Sequence, residues 1–202
     1  VGNVSVNSFV NGYLIPQWQI NLNVSTNGAR LDAAQQLAVI CHDSGVYIVH
    51  MDLQIANRNI STSDAVNDAD WDDEGDLWLA YYAGRRRAEE YDSEGLTGVI
   101  SPQIQTGFSA FEILSDGRIV IGAYDKKVHV SSNEGVALTN LAESSAIVNV
   151  VMEDHDGNLL VGTANGKLYR YDTTTWAVET LSLSHGSSIV SLEEYDNSTY
   201  HV

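Results

Sequence analysis

The chain of 202 residues contains one cysteine, two prolines and no long apolar run. A single cysteine excludes an internal disulfide, and the apolar segment around Cys41 predicts a buried structural thiol rather than a nucleophile. Two prolines and 44% hydrophobic residues argue against a disordered chain. No apolar run approaches the roughly 18 residues that cross a bilayer, so membrane insertion is not expected.

Positive charge is also scarce. Ten Lys and Arg residues, three of them lysines, stand against 27 Asp and Glu, for a net charge of −17. Nucleic acid is therefore not an expected partner, because its phosphates would be repelled. This composition is compatible with a high-salt, halophilic environment and equally with an ordinary acidic secreted protein. The chain begins with Val and not with a signal peptide, so we expect that a leader was removed or that the chain is a domain of a longer protein.

One stretch, residues 150–183, has the pattern of a complete four-stranded antiparallel unit. Apolar segments at 147–152 and 159–163 predict strands A and B, joined by a tight turn at Asp154–Gly157. Asn165–Gly166 predicts the B–C turn, because Asn-Gly is the strongest short hairpin signal. Strands C and D are expected at 167–172 and 176–183.

Looser copies of this unit recur with a period near 40 residues. The A–B turn returns at Gly75, Gly117, Gly157 and Asn197, the small strand-B residue at Cys41, Ala80, Gly122 and Gly162, and the B–C turn at Gly45, Gly84, Asp125–Lys126 and Gly166. Small strand-B residues predict that neighbouring sheets approach closely there. Asn27–Gly28 would start the A–B series early, before an eight-residue insertion at 29–36 whose helix formers predict a helical turn.

The unit resembles the repeats of two-component-regulator-type β-propellers, whose pattern is Asp-x-x-Gly-x-Leu/Trp-x-Val-Gly-Thr and then Gly-x-Leu-Tyr-x-Tyr-Asp. The match is carried by Asp154 and Gly157, by Leu160–Thr163 and by Gly166–Asp172. Other copies keep only parts of the pattern, such as Gly75 with 77–79, or Asp116–Gly117. The resemblance implies an all-β propeller fold and transfers no function.

The two ends of the chain have complementary deficits. Residues 189–202 supply only strands A and B of a unit, and residues 1–20 supply the missing C and D. We therefore predict a single five-bladed β-propeller over 1–202, with four-stranded antiparallel blades at 189–202 plus 1–20, 21–61, 62–105, 106–144 and 145–186. Closure by pairing of the terminal strands removes exposed sheet edges, whereas an open fragment of a larger ring is the alternative.

In a propeller all A–B turns lie on one face and all B–C turns on the other, and the charges separate accordingly. The A–B turns carry Asp70, Asp72, Asp73, Glu74, Asp76, Asp116, Asp154, Asp156 and Asp196. The B–C turns carry six of the ten basic residues, Arg85, Arg86, Arg87, Lys126, Lys127 and Lys167, with Tyr82 and Tyr124 beside them. We predict that these eight residues bind a ligand or partner, since exposed tyrosines also stack on sugar rings. The alternative is that these turns are charged only because they are exposed to solvent, and that they bind nothing.

Other candidate sites are weaker. Asp70-x-Asp72-x-Glu74-Gly75 resembles the start of a calcium loop, but Tyr81 stands at the twelfth position and a strand follows, so we expect a plain turn. The histidines form no paired zinc motif: His42, His50, His129, His155, His185 and His201. The four tryptophans, Trp18, Trp71, Trp78 and Trp176, are assigned to core packing. We expect no cofactor and no metal.

The expected function is recognition without catalysis, outside the cytoplasm, by a module that is secreted or exposed on a particle. Its partner would be a glycan or a surface protein, bound through the face of the B–C turns and the D–A linkers, and the sequons at Asn3, Asn23, Asn59 and Asn197 fit export. The alternative is a structural component of a virion, filament or surface layer that packs against copies of itself through acidic and basic faces. A glycoside hydrolase using Glu112, Glu153 or Glu193 is the third hypothesis.

Overall fold

The computed structural model describes residues 2–10, 13–32, 36–131, 139–141, 146–181, 186–196 and 199–201, and within them all regular secondary structure is β. In chain order the strands are β1 Gly2–Val10, β2 Tyr13–Val24, β3 Thr26–Asp32, β4 Leu37–His42, β5 Gly45–His50, β6 Ile55–Ser61, β7 Asp68–Trp71, β8 Leu77–Tyr81, β9 Arg87–Tyr91, β10 Leu96–Ile100, β11 Phe108–Ile113, β12 Ile119–Ala123, β13 Val128–Ser131, β14 Thr139–Asn140, β15 Val148–Glu153, β16 Leu159–Thr163, β17 Leu168–Tyr171, β18 Val178–Leu181, β19 Glu193–Asp196 and β20 Thr199–His201. Within the described ranges no helix is long and apolar enough to cross a membrane.

Sixteen of these strands form four antiparallel sheets of four strands each. The sheets are β3–β6, β7–β10, β11–β14 and β15–β18, and within each one the strands pair in chain order. The remaining strands form two-stranded sheets, β1–β2 and β19–β20. The predicted four-stranded antiparallel units are therefore present, and the chain divides into two compact units at 1–69 and 70–202.

The first unit corrects two predictions near its start. Residues 29–32 belong to β3 and pair with β4 through Ala29–Ile40 and Arg30–Val39, so the helical turn predicted there is wrong. Cross-strand pairing overrides the helix propensity of so short a segment. Residues 33–35 lie outside the described ranges, and Gln36 lies in a turn.

The A–B turn predicted at Asn27–Gly28 is also wrong. Gly28 lies inside β3, at an irregularity of register opposite Cys41. A Cβ atom on Gly28 would lie 2.5 Å from the Asn67 carbonyl oxygen, so the glycine is required for a close backbone approach rather than for a turn. The core of the first unit contains Leu22, Ile40 and Val49.

The A–B turns of the second unit are built alike, as predicted. Gly75, Gly117 and Gly157 have φ angles of 88°, 81° and 77°, which favour glycine. Each donates its N–H to the carbonyl three residues earlier, at 3.2, 2.8 and 2.9 Å. Asn197, the last member of the predicted series, lies outside the described residues.

The predicted close approach at the strand-B position is confirmed in the second unit. A Cβ atom on Gly122 of β12 would lie 2.5 Å from Cγ1 of Val148 in the next sheet. A Cβ atom on Gly162 of β16 would lie 2.6 Å from Cγ2 of Ile189. Cys41, at the same position in the first unit, is buried as predicted, and burial raises the pKa of its thiol.

Apolar side chains fill the spaces between successive sheets of the second unit. One cluster joins β8 and β9 to β11 and β12 and includes Trp78, 2% exposed, together with Phe108 and Ile121. A second cluster joins β11–β14 to β15–β18 and includes Val120 and Val148. The sheets are thus buried along their faces, which leaves the turns at their ends in contact with solvent.

A methyl group added to Gly122 tests this arrangement. We expect Gly122→Ala to lower the free energy of unfolding by about 1–3 kcal/mol, because the added Cβ overlaps Val148 in a packed core. Gly186→Ala is the matched control, since a Cβ there meets no atom within 4 Å. Urea unfolding measures both variants, and equal midpoints would contradict the close approach.

Candidate functional site

The predicted binding residues lie at one end of the sheets of the second unit. In an antiparallel sheet with strands in chain order, B–C turns and D–A linkers share one end, and A–B and C–D turns share the other. The name B–C surface is used here for residues 82–87, 101–107, 124–127 and 164–167, and A–B surface for residues 72–76, 90–95, 114–118, 154–158 and 172–177. The B–C surface contains all eight candidates, although they differ in what their side chains contact.

Two of the three consecutive arginines are committed to a buried carboxylate. Arg87 donates to Oε1 of Glu89 from Nε at 2.9 Å and from Nη2 at 2.7 Å. Arg85 forms an ion pair with Oε2 of the same residue and lies over the ring of Tyr81, 4.8 Å from its centroid. Glu89 is only 1% exposed, and a buried charge without a partner would be strongly destabilising. Glu89 thus compensates one of the two positive charges of Arg85 and Arg87 and holds both guanidinium groups in place.

The D–A linker at 101–107 is fastened to the same turn. Ile104 donates its N–H to the Arg86 carbonyl at 3.0 Å, and the Arg86 guanidinium donates to the carbonyl of Gln105. Gln103 donates from its side-chain amide to the Arg85 carbonyl at 3.0 Å. The linker and the turn therefore form one continuous surface, which sequence spacing did not indicate.

The structure brings Tyr82 and Tyr124, from neighbouring sheets, together at Gly107. A Cβ atom on Gly107 would lie 3.1 Å from the Tyr82 carbonyl oxygen and 3.7 Å from Cδ2 of Tyr124. The Tyr82 ring packs inward, 6.2 Å from the ring of Phe108. Tyr124 is 54% exposed, so it is the tyrosine that presents its ring to solvent.

A buried histidine fixes the turn that carries Tyr124. His129 of β13 is 6% exposed, and its Nε2 lies 3.1 and 3.2 Å from the two carboxylate oxygens of Asp125. A carboxylate only accepts, so Nε2 carries the proton and donates. Asp125 also accepts the N–H of Lys127 at 3.1 Å. The sequence analysis assigned His129 no role beyond its absence from a zinc motif, although its four-residue spacing from a turn aspartate was the available signal.

The lysines add to the positive charge of the arginines on the B–C surface. Lys126 and Lys167 are exposed, and Lys127 is half-buried. The side chains of Lys127 and Lys167 form no ion pair with another described residue. Lys127 and Lys167 are therefore candidates whose side-chain charges have no described ion-pair partner, and Tyr124 is the candidate whose ring is exposed to solvent.

The A–B surface is acidic, and two arginines pair with its carboxylates, Arg118 within the surface and Arg170 from the adjoining strand β17. Arg118 donates from Nε to Asp116 at 2.7 Å and stacks 4.8 Å from the centroid of the Trp176 ring. Arg170 has Nη2 3.1 Å from carboxylate oxygens of both Asp154 and Asp156. Neither guanidinium leaves its charge uncompensated at this end of the sheets.

The carboxylates proposed for calcium are placed in different surroundings. Asp70 accepts the N–H of Ile113 in the next sheet at 3.0 Å. Asp72 accepts the N–H groups of Glu74 and Asp76 and the indole N–H of Trp78, at 3.1, 2.9 and 3.0 Å. The Glu74 side chain is exposed, and it is not among the described carboxylates whose oxygens converge.

The carboxylates that do converge are Asp72, Asp76 and Glu90, whose oxygens lie within 4.8 Å of one another. Sequence spacing missed this group because Glu90 comes from β9, opposite Trp78 of β8. Burial and the charges of Asp72 and Asp92 raise the pKa of Asp76. Burial, with the neighbouring carboxylates, also raises the pKa of Glu90.

The carboxylates proposed for hydrolysis connect sheets. Glu153 accepts the N–H and the hydroxyl of Ser115 at 2.6 and 2.9 Å, and its own N–H approaches Oε1 of Glu112 at 3.4 Å. Glu193 is exposed at the start of β19.

Burial lowers the pKa of His42, whose Nδ1 accepts the N–H of Ser44 at 3.2 Å.

Comparison with known proteins adds the fold and no more. No protein-family model and no curated protein matches the chain. A chain of the crystal structure of the mitotic checkpoint complex, a WD40-type β-propeller, matches with a TM-score of 0.72 at 14% identity. The match covers 90% of this chain and 57% of that one, so this chain spans little more than half of its neighbour. The all-β, repeated architecture is that of a β-propeller scaffold.

At pH 7 we expect asparagine substitutions at Asp76 and Asp116 to change the free energy of unfolding in opposite directions. The raised pKa of Asp76 means that its contribution to stability is present below the ordinary pKa of 3.8 and lost as pH rises through the folded value. Asp76→Asn should therefore raise the free energy of unfolding at pH 7 by about 0.5 kcal/mol and give no gain at pH 3.

Asp116 is the matched control. Its hydrogen bonds with Arg118 lower the pKa of its carboxyl, so its contribution is present above the ordinary pKa and lost as pH falls through the folded value. Asp116→Asn should destabilise at pH 7. Denaturant unfolding at both pH values measures the pair, and the same sign for both variants at pH 7 would contradict the analysis.

Proposed function

We propose that the second unit is a binding module that recognises an acidic protein partner, without catalysis, through the B–C surface. The observation that carries the proposal is Tyr124, 54% exposed on a turn that buried His129 holds in place through Asp125. Aromatic side chains dominate binding energy at interfaces, and a fixed backbone lowers the entropy lost on binding. Tyr124 thus combines a large contact area with a fixed position.

The charges of the two lysines favour an acidic partner. Lys127 and Lys167 carry uncompensated positive charge in a protein of net charge −17. Charges at the rim of an interface select complementary partners and steer their approach more than they add affinity. The propeller neighbour is a component of a protein complex, which supports a protein rather than a glycan as the partner class.

Neutralising the two lysines tests this proposal. Lys127→Gln/Lys167→Gln should weaken binding of a polyglutamate peptide about fivefold, because two charge contacts at the surface are lost. Tyr124→Ala should weaken it further, whereas Leu96→Ala, a change at a side chain 51% exposed outside the B–C surface, should not. Fluorescence anisotropy with labelled peptide measures all four proteins.

The control for net charge is Ser93→Glu/Thr174→Glu. It lowers the net charge by the same two units but changes exposed turn residues of the A–B surface. Equal weakening by both double variants would show that total charge, not the B–C surface, governs binding. Binding of heparin but not of polyglutamate would replace the protein partner with an acidic glycan.

We also propose the finer architecture: five blades of the two-component-regulator repeat type, with β19–β20 and β1–β2 joined in one composite blade. A two-stranded sheet is marginally stable alone, and the two sheets together have the four strands of the other blades. The same closure would remove an exposed edge from each of them.

Hydrogen exchange tests this closure in the intact chain. In the composite blade, the alternate amides of β20 that do not bond to β19 donate to an N-terminal strand, so we expect them to be protected. Nuclear Overhauser effects should join β20 to β1 or β2. Fast exchange along that edge, with contacts only to β19, would indicate an open arrangement.

A further inference from the structure

We infer that the acidic partner is a second copy of this chain, whose A–B surface docks on the B–C surface of the first. This inference rests on the proposed function and names its partner. It requires that each copy carries both complementary surfaces, that neither is neutralised internally, and that their charged turns are spaced alike.

The A–B surface presents carboxylates that the fold does not use. Asp73 and Glu74 are exposed at the tip of the first A–B turn, and the structure assigns their side chains no bond or ion pair with a described residue. They adjoin Asp72, Asp76 and Glu90, which crowd one another within 4.8 Å. A cation arriving from outside would relieve this repulsion, which no described basic residue of the same turn does.

The B–C surface presents the matching cations. The carboxylate of Asp125 accepts hydrogen bonds from His129 and from the N–H of Lys127, and it forms no ion pair with the Lys127 ammonium group. Lys127 and Lys167 come from equivalent turns of adjacent sheets, and Tyr124 adds an apolar ring beside the first of them. A buried aromatic anchor with polar groups at its rim is the usual arrangement of a protein interface, and the lysines would stand at that rim.

The spacing of the two surfaces matches because the same sheets generate both. Each sheet of the second unit ends in an A–B turn on one side and a B–C turn on the other, so successive turns of both kinds follow the same rotation from sheet to sheet. Asp73, Asp116 and Asp156 stand on successive A–B turns, as Lys127 and Lys167 stand on successive B–C turns. Asp116 and Asp156 already pair with Arg118 and Arg170, so Asp73 and Glu74 are the carboxylates left for an outside partner. Two stacked copies can therefore bring Asp73 and Glu74 of one copy opposite a lysine of the other.

Net charge does not prevent this contact at physiological salt. Two copies of charge −17 repel each other at long range, but charges farther apart than about 8 Å are screened at 0.15 M salt. Pairs in contact at a partly desolvated interface are screened less. Because the two docking surfaces differ, the association is heterologous and builds rings or filaments rather than a twofold dimer.

Reciprocal charge reversal tests the inference. Lys127→Glu/Lys167→Glu removes the basic surface and leaves the acidic one, whereas Asp73→Lys/Glu74→Lys does the reverse. Each variant alone should be monomeric in sedimentation velocity at 0.15 M NaCl and about 100 μM protein. An equimolar mixture should assemble again, because the unchanged A–B surface of one variant meets the unchanged B–C surface of the other and the two reversed surfaces are complementary as well. The wild type should likewise form larger species that grow with concentration.

Thermal unfolding establishes that both variants are folded before they are mixed. A mixture of folded variants that stays monomeric would overturn the inference. If the wild type is monomeric yet binds polyglutamate through Tyr124, Lys127 and Lys167, self-docking is wrong and the proposed function stands. If the wild type binds neither itself nor polyglutamate, both fail.

Discussion

The second unit depends on the close contact between neighbouring sheets at the strand-B glycines. Gly122 leaves no room for a methyl group beside Val148, so the faces of the two sheets pack directly on one another. Apolar residues such as Val120 and Ile121 then fill the space between successive sheets. Because the core lies between the faces of the sheets, the turns at both ends of the strands are not constrained by core packing, and their sequences can differ. This constraint places the two charged surfaces at opposite ends of the same strands.

The two ends treat their charged groups differently. At the A–B end, aspartates complete the turns: Asp72 and Asp154 accept backbone N–H groups that would otherwise be left without partners in the turn. Arg118 and Arg170 then compensate part of the resulting negative charge. At the B–C end the buried carboxylate of Glu89 forms ion pairs with Arg85 and Arg87, two of the three consecutive arginines. Part of each charge pattern is therefore structural, and only the remainder is free to select a partner.

Sequence reasoning predicted the elements that depend on local chemistry. Strands, A–B turns and B–C turns of the second unit followed from glycine spacing and short apolar segments, since few other residues satisfy a φ near 80°. It failed at 26–32, where cross-strand pairing outweighed helix propensity. It also missed the contacts of Arg85 and Arg87 with Glu89 and the approach of Glu90 to Asp76, because these depend on side-chain direction and strand register. The eight candidate residues lie at or beside the B–C turns, with Arg87 already at the start of β9, but the sequence could not show which of their side chains the protein itself binds. Export, a non-enzymatic role and the number of blades stay predictions.

Which charges indicate function can be argued from what folding requires. The aspartates of the A–B turns have a structural reason to exist, because turn N–H groups need acceptors, so their abundance alone implies no ligand. Lys127, Lys167 and the exposed ring of Tyr124 satisfy no described buried group and form no described ion pair. The solved structure that matches at 14% identity shows the fold and does not identify a partner. The residues that folding does not explain are therefore the better guide, and they point to the B–C surface.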